Sequence, residues 1–454
     1  MLKAFNENFN PHSIELKIPT ELIELPEDLK IVDQILEDER FIKPFVEMFN
    51  TKRGRPTIPV EVYIRMMYLK HRFSLSYESV EREVSDSIKW RIFCHLTFED
   101  KVPDSTTLVK LTKKYGRVID ELNELLTQAA REKKIIRWKK LRADTTVIGA
   151  PISHPLDSKL LFDGIKVITR GVEKIKKLGF NVKFRDFTRS SKKKMIRIVK
   201  ILKKKGKEGK EEVKREVSSL LNVAKKVVKE SCKVLYKVGM RARRSSDDVR
   251  KKFSIVRKEL RMRIKIVKKV IEQTEEVLRG CKPHRRLVSI FEPGARAIVR
   301  GKLFSKVEFG WKVLIQECGG FITGYKVLDE PVSDKKLVRG IMRGHIKSFG
   351  SAPDSISLDR GFYSEENERY LRRRVRRVMM KKKGGIDKER RSYEGEKWFR
   401  RLSRYRSGIE GKISLLKRRY GMRRSKNRGR VGCEGCVGIG IMVHNLWYMV
   451  EKMK

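Results

Sequence analysis

The chain has 454 residues, enough for two or three domains, and its 39% hydrophobic content is compatible with packed cores. Lys and Arg number 109 against 57 Asp and Glu, a formal net charge of +52, so the expected partner is a polyanion. A membrane surface or an acidic protein would also attract this charge. Basic residues occur in every segment, however, and no lipid-anchor motif is present, which favours nucleic acid.

Membrane and secretion signals are not expected in this sequence. Residues 1–19 are polar and acidic where a signal peptide needs an unbroken apolar core. The longest apolar run, residues 437–450, is too short for a membrane span and is interrupted by His444 and Asn445. Six scattered cysteines do not resemble a disulfide framework. We therefore expect a cytoplasmic protein that associates with the nucleoid through DNA.

The first predicted domain, residues 1–135, is helical, because apolar residues recur at three- and four-residue steps from about residue 27. Within it, residues 77–84 and 87–93 are typical of two short helices, and a basic arm with Arg53 and Arg55 precedes them. This arrangement favours a DNA-binding helix-turn-helix. The alternative is an ordinary helical bundle whose basic face is only solvated.

A change of period predicts a strand and loop at residues 136–155, where β-branched residues surround Asp144. Residues 156–284 then contain two long stretches with apolar residues three and four apart, which predict an inserted domain of antiparallel helices. Ser246 is the expected N-cap of the second helix, and Gly280 is the expected end.

The last predicted domain, residues 285–454, returns to strands and helices. Strands are expected at residues 287–291, 307–316, 321–328, 355–359 and 375–380, and helices at residues 335–347, 365–373 and 397–420. The second and third of these strands form a hairpin across Gly319 and Gly320. The fold class is therefore α/β, a mixed sheet core with a helical N-terminal domain and a long helical insertion after the first core strand.

Three carboxylates in this core are candidates for metal-dependent phosphodiester chemistry, which needs carboxylates that hold two divalent ions about 4 Å apart. Asp144 lies inside an apolar strand, and Asp359 ends another strand. Glu410 lies on the last predicted core helix, where Arg406 and Lys417 share its face. Taken singly, each aspartate is more typical of a turn at a strand end, and the helical face is more typical of a surface ion-pair ladder.

The sequence around these carboxylates resembles the three DDE blocks of insertion-sequence transposases. The blocks are Leu-Arg-Ala-Asp-Thr-Thr-Val at residues 141–147, Leu-Asp-Arg-Gly-Phe-Tyr-Ser at 358–364 and Ile-Glu-Gly-Lys at 409–412. Related transposases carry a Tyr-Arg-Glu-Lys signature on the last helix. Arg406, Glu410 and Lys417 match this signature, whereas Ser403 stands at the tyrosine position.

The resemblance implies a ribonuclease-H-like core, two Mg²⁺ or Mn²⁺ ions as cofactors, nicking at the ends of the mobile element, and attack of the freed 3′-hydroxyl on target DNA. Asp144, Asp359 and Glu410 would then be the catalytic metal ligands, and Arg53, Arg55, Arg406 and Lys417 would contact DNA. Chemistry on two DNA ends favours a homodimer on double-stranded DNA. Two alternatives remain, a non-catalytic basic DNA-binding protein or transposase relic, and a ribonuclease-H-like nuclease that stops after hydrolysis.

Overall fold

The computed structural model describes residues 2–6, 19–49, 57–203, 207–299, 307–330 and 332–454. The chain divides into two units. The first combines Met1–Pro151 with Gly310–Lys454, and the second is Ile152–Phe309. Arg53 and Arg55, the predicted basic arm, lie outside the described residues.

The N-terminal part of the first unit is helical, as predicted. Its helices are α1 (Thr20–Ile23), α2 (Glu27–Leu36), α3 (Lys43–Met48), α4 (Val60–Arg72), α5 (Tyr77–Asp86), α6 (Ile88–Phe93), α7 (Ser105–Lys114) and α8 (Gly116–Glu132), with a 3-10 turn at Glu39–Phe41. The side chains of Ser76, Ser87 and Asp104 cap α5, α6 and α7 by accepting hydrogen bonds from backbone N–H groups. Ser87 ends α5 and starts α6, so the predicted pair of short helices is confirmed.

Strand β1 (Lys140–Gly149) follows these helices, and the second unit begins after it. This unit contains α9 (Asp157–Lys177), α10 (Thr188–Ile201), α11 (Lys207–Ala242), α12 (Asp247–Leu278) and strand β2 (Arg296–Val299). The predicted long helix pair is present as α11 and α12. Ser246 stands at the N-cap of α12 but its side chain makes no capping hydrogen bond, whereas Gly280 adopts a left-handed φ of 87° beyond the helix end, as predicted.

The second unit has its own apolar core, which all four of its helices share. Helix α9 packs closely on α12 because Gly171 lacks a side chain. A Cβ atom at Gly171 would lie 2.7 Å from Leu260 Cδ1, closer than real Cβ contacts allow. The long helix α11 packs against α9, α10 and α12, and α12 packs against α9 and α11, while the outward-facing residues of both helices are exposed.

A mixed sheet forms the centre of the first unit. Its further strands are β3 (Val307–Cys318), β4 (Phe321–Val327), β5 (Ser355–Leu358) and β6 (Arg377–Met380). In the first unit the strand order is β4-β3-β1-β5-β6, with β1 antiparallel to β3 and parallel to β5. The predicted β3–β4 hairpin turns at Gly319 and Gly320, both with positive φ. The predicted α/β fold class, a mixed sheet core with a helical N-terminal part and a helical insertion after the first core strand, is confirmed.

Helices cover this sheet and connect its strands. They are α13 (Val338–Phe349), α14 (Glu365–Arg372), α15 (Lys388–Gly395), α16 (Lys397–Arg419) and α17 (Gly429–Met453), with 3-10 turns at Asp334–Leu337 and Arg360–Phe362. Helix α16 packs against β1, β5 and β6, and α17 packs against α8 and α4. Helix α17 contains the apolar run at residues 437–450 and is buried in this unit. None of the described helices is long and apolar enough to cross a membrane.

The strand predicted at residues 287–291 is wrong. Leu287 and Ile290 are buried, but they lie in the core of the second unit in irregular chain. The amide side chain of Gln273 on α12 takes the place of a neighbouring strand. Its Oε1 accepts the N–H of Leu287 at 2.9 Å, and its Nε2 donates to the carbonyl of Leu287 at 3.3 Å. A buried apolar run is therefore fixed by a side chain and not by a sheet.

His345 on α13 is buried among aromatic rings and should make the fold sensitive to acid. Its ring centroid lies 4.8 Å from that of Phe349 and 6.1 Å from that of Trp138, and neither ring nitrogen has a hydrogen-bond partner among the described residues. Burial lowers the pKa of His345 to about 4. The unfolded chain binds a proton on this ring near pH 6.5, whereas the folded chain keeps the ring neutral down to about pH 4, so the free energy of unfolding falls as the pH falls through this window.

Replacing His345 by phenylalanine should remove this acid sensitivity. Between pH 7 and pH 5 we expect the free energy of unfolding of the His345→Phe variant to fall by about 2 kcal/mol less than that of the unsubstituted chain. Urea denaturation at both pH values measures the difference. An equal loss in the two proteins would show that His345 is already protonated or is exposed in the folded chain.

Candidate active site

Asp144 and Asp359 lie at equivalent positions on neighbouring strands. The parallel pairing of β1 with β5 joins Ala143 to Leu358, and each aspartate is the next residue along its strand. Neighbouring strands lie about 5 Å apart, so the two carboxylates start from adjacent backbone positions at the carboxyl end of β5. Asp144 is half-buried and accepts the N–H of Thr145 at 2.7 Å, while the side chain of Asp359 is 50% exposed.

Asp144 and Asp359 both lie where the pairing between β1 and β5 ends, so neither carboxylate is enclosed by the sheet. The β1–β5 pairing stops at Ala143, whereas β1 continues to Gly149 along β3. Asp144 thus follows directly on a fully buried segment, at the point where the neighbouring strand ends. Asp359 is the first residue after β5 and leads into the 3-10 turn at Arg360–Phe362. Both aspartates therefore stand where a strand gives way to an accessible edge.

Arg406 joins the second and third carboxylates of the predicted site. Its Nη2 lies 2.9 Å from Oε1 of Glu410, one helical turn later on α16, and its Nη1 lies 3.5 Å from Oδ1 of Asp359. The Arg406 side chain is 18% exposed and that of Glu410 is 63% exposed. The adjacent residue Ile409 is buried and fixes α16 against the sheet. The guanidinium thus places one positive charge between two of the three carboxylates.

The three carboxylates are not gathered into one cage. Across the described residues, no three His, Cys, Asp or Glu side chains are grouped closely enough to hold a metal ion. Strand register relates Asp144 to Asp359, and Arg406 relates Asp359 to Glu410. The donor chemistry suits Mg²⁺ or Mn²⁺, since all three groups are carboxylates and these ions prefer hard oxygen ligands. The Arg406 guanidinium, which pairs with both Asp359 and Glu410, shows that these carboxylates accommodate a positive charge.

Lys417 and Ser403 flank Glu410 on α16, each seven residues away and hence on the same helical face. Both side chains are partly exposed. Tyr405 does not replace a tyrosine at position 403. Its hydroxyl donates to the carbonyl of Lys140 at 3.0 Å and accepts the N–H of Gly319 at 3.2 Å, which ties α16 to the start of β1 and to the β3–β4 turn.

A buried ion pair lies two residues before Asp144 on the same face of β1. Arg142 is directly paired with Glu317 on β3, and the Arg142 guanidinium donates to the Glu317 carboxylate. Arg142 also donates to the carbonyl of Tyr405 and lies 4.4 Å from the centre of its ring. Gly408 allows this approach, because a Cβ atom there would collide with the Arg142 guanidinium. The pair therefore joins β1, β3 and α16, the elements that carry Asp144 and Glu410.

Lys412 extends this support to α17. Burial lowers the pKa of Lys412, and its Nζ lies 3.2 Å from Nε2 of His444. Burial and the neighbouring Lys412 lower the pKa of His444 to about 3, so its ring is neutral near neutral pH. Nδ1 of His444 then donates to Oδ1 of Asn445 at 3.0 Å, which leaves Nε2 to accept from Lys412.

Lys312 and Asp334 form an ion pair near Asp359 that the sequence did not indicate. Lys312 on β3 lies 2.8 Å from Oδ1 of Asp334, and a Cβ atom on Gly361 would lie 3.2 Å from Oδ2 of Asp334 and 3.9 Å from Oδ2 of Asp359. Asp334 therefore packs against the 3-10 turn that follows Asp359. The available sequence signal was Gly361 itself, since a glycine directly after a candidate Asp-Arg indicates close packing by another group.

Comparison with known proteins gives two family matches. Residues 19–114 match the family described as "Transposase domain (DUF772)", and residues 313–446 match the family described as "Transposase DDE domain". The second match contains Asp359 and Glu410 but begins after Asp144 and the helical insertion.

One curated relative is the "Uncharacterized protein ORF8 in nfe locus" of Rhizobium meliloti, 29% identical over 127 residues. The alignment covers 27% of this chain and 61% of the relative, so the chain spans less than two thirds of that protein's length. No solved structure matches this chain.

Proposed function

Because this chain belongs to the DDE transposases of insertion sequences, we propose that it nicks DNA at the ends of its element and joins the freed 3′-hydroxyl groups to target DNA. We assign the catalytic carboxylates to Asp144, Asp359 and Glu410. The observation that carries this proposal is the alignment of Asp144 with Asp359 across β1 and β5, together with the Arg406 bridge from Asp359 to Glu410.

DDE transposases use divalent metal ions, and we propose that the three carboxylates hold two Mg²⁺ or Mn²⁺ ions. Two such ions, when bound, would activate the attacking hydroxyl and stabilise charge on the leaving oxygen. Asp144 and Asp359 supply oxygen donors from the sheet, and Glu410 supplies its donor from α16. Asp359 and Glu410 are both at least half exposed, so a DNA phosphate could reach them from solvent.

Arg406 and Lys417 are proposed to bind DNA phosphates beside the cleaved bond. In the structure Arg406 forms ion pairs with both Asp359 and Glu410. Metal cations at these carboxylates would compete for the same oxygens, and the guanidinium would then be available for two parallel hydrogen bonds to a phosphate. Lys417 lies roughly 10 Å farther along the helix axis than Glu410 and extends the positive face toward a neighbouring phosphate.

Cleavage of labelled DNA tests the function. The substrate is a duplex with the inverted repeat that borders this reading frame, incubated with the chain and Mg²⁺, Mn²⁺ or EDTA. We expect a metal-dependent nick that leaves a 3′-hydroxyl, and joining of that end to a plasmid target. Binding without any metal-dependent nick would instead support a non-catalytic DNA-binding protein, and nicking without joined products would support a nuclease.

We also propose that two copies act together on DNA, because transposition joins two element ends. Sedimentation of the chain with and without an end duplex measures the stoichiometry. We expect two chains for each pair of duplex ends, and a complex that contains one chain at every protein concentration would contradict this arrangement.

A further inference from the structure

The second unit carries a concentrated positive surface on its two long helices. Residues 225–269, which span the end of α11, the connection and the first two thirds of α12, contain 18 Lys and Arg and 4 Asp and Glu. Three of the four acidic residues already have basic partners, at 2.5 Å for Asp247 and Arg250, 2.6 Å for Asp248 and Lys252, and 2.9 Å for Glu259 and Lys174. Most of the positive charge is therefore left for an external partner.

A groove runs between α11 and α12 within this basic region. We call it the hairpin groove and define it by Tyr236, Gly239 and Met240 on α11, Arg243 in the turn after α11, and Arg257 and Arg261 on α12. The Arg257 side chain reaches across the groove to Gly239, where a Cβ atom would lie at van der Waals distance, 3.8 Å from Cζ of Arg257. Tyr236 is 70% exposed and Met240 is 53% exposed.

We propose that the hairpin groove binds the sugar-phosphate backbone of the DNA on which the enzyme acts, an inference that rests on the proposed function. Lys229, which lies seven residues before Tyr236, shares its face of α11. From Lys229 to the end of α11 at Ala242 the face extends about 20 Å at 1.5 Å per residue, which matches about six base pairs at 3.4 Å each. The arginines supply phosphate contacts, and Tyr236 supplies a ring for a sugar or an unpaired base.

Charge distinguishes DNA from a second copy of the chain as the occupant. Exposed apolar side chains such as Tyr236 and Met240 would also suit an interface between proteins. A symmetric contact between two hairpin grooves, however, would bring Arg243, Arg257 and Arg261 of both copies together, and juxtaposed like charges oppose association. A polyanion gains from the same charges through release of its counterions.

The test compares charge removal in the groove with equal removal elsewhere in the same unit. The groove variant is Lys229→Gln, Arg243→Gln and Arg261→Gln combined, and the matched control removes the exposed Lys192, Lys193 and Lys200 of α10 in the same way. Affinity for a labelled duplex is measured by fluorescence anisotropy across a salt series, in EDTA so that no cleavage occurs. Far-ultraviolet circular dichroism verifies that both proteins keep their helices.

We expect the groove variant to lose at least about tenfold in affinity near physiological salt and to flatten the plot of log K against log salt by about 2 to 3. The control should change the slope by less than about 1. Tyr236→Ala should weaken binding a few-fold without changing the slope, because a ring contact releases no counterions.

Equal losses in the groove variant and the control would overturn the proposal, as would unchanged affinity in both. If those variants still nick DNA with metal, the proposed function stands and only the groove assignment fails, whereas a wild-type chain that binds no DNA overturns both. Sedimentation provides a further check. A groove variant that becomes monomeric but keeps full DNA affinity would assign the surface to a second copy and overturn the DNA assignment.

Discussion

Asp144→Asn is expected to lower the rate of metal-dependent nicking by at least about a thousandfold, equivalent to about 4 kcal/mol in the transition state. The substitution keeps the size of the side chain, and the carbonyl oxygen of the introduced amide still accepts the N–H of Thr145. It removes the negative charge that is proposed to hold a divalent ion beside Asp359. DNA affinity in EDTA should change by less than about threefold, because Asp144 is not among the proposed DNA contacts.

The control for this experiment is Asp354→Asn. Asp354 lies just before β5, at the end of the strand opposite Asp359, and its exposed side chain is 3.9 Å from Lys139. This variant makes the same chemical change on the same strand pair and should keep wild-type nicking. If Asp144→Asn nicked DNA as fast as Asp354→Asn, Asp144 would not be a catalytic carboxylate.

Glu317→Gln is expected to lower the free energy of unfolding by about 3 to 5 kcal/mol, because it leaves the Arg142 charge buried without its counter-charge. Glu317 is fully buried, and Arg142 is 10% exposed at its side chain. The change in stability is measured by urea denaturation. Nicking should fall as well, since Arg142 and Glu317 join the strands and the helix that carry Asp144 and Glu410.

A double variant separates the charge effect from simple loss of packing. Arg142→Met combined with Glu317→Leu replaces the ion pair by apolar side chains of similar size, and such replacements are often neutral or stabilising in buried sites. We expect the double variant to be more stable than Glu317→Gln alone. If the double variant lost as much free energy of unfolding as Arg142→Met and Glu317→Leu lose in sum, the two residues would not interact.

Local sequence signals predicted much of the secondary structure. The β-branched residues around Asp144 predicted β1, and three- and four-residue spacing of apolar residues predicted α11, α12 and α16. The two glycines at 319 and 320 located the β3–β4 hairpin because both adopt positive φ. These signals are local, so a single sequence is sufficient to contain them.

Long-range contacts were less accessible from the sequence. The apolar run at residues 287–291 has the composition of a strand, but the side chain of Gln273 fixes it within a helical core. The Lys312–Asp334 pair joins residues that are distant from Asp359 in sequence and meet only through the sheet. The contact between Arg406 and Asp359 likewise depends on how α16 packs on β5, and the spacing of residues along the sequence does not determine that packing.

The candidate site was predictable in its residue types but not in its contacts. Arg406 and Glu410 share a helical face by spacing alone, and the structure adds the contact from Arg406 to Asp359. Ser403 remains the departure from the tyrosine signature, and Tyr405 is engaged with Lys140 and Gly319.

The central claim, that Asp144, Asp359 and Glu410 hold divalent metal together, is tested most directly by iron-mediated cleavage of the polypeptide. Fe²⁺ that replaces Mg²⁺ generates radicals beside its ligands when ascorbate and peroxide are added, and mass spectrometry locates the cuts without reference to DNA cleavage. We predict cuts near residues 144, 359 and 410 that excess Mg²⁺ suppresses and Asp144→Asn reduces. Cuts confined to other parts of the chain, or insensitive to Mg²⁺, would contradict the account.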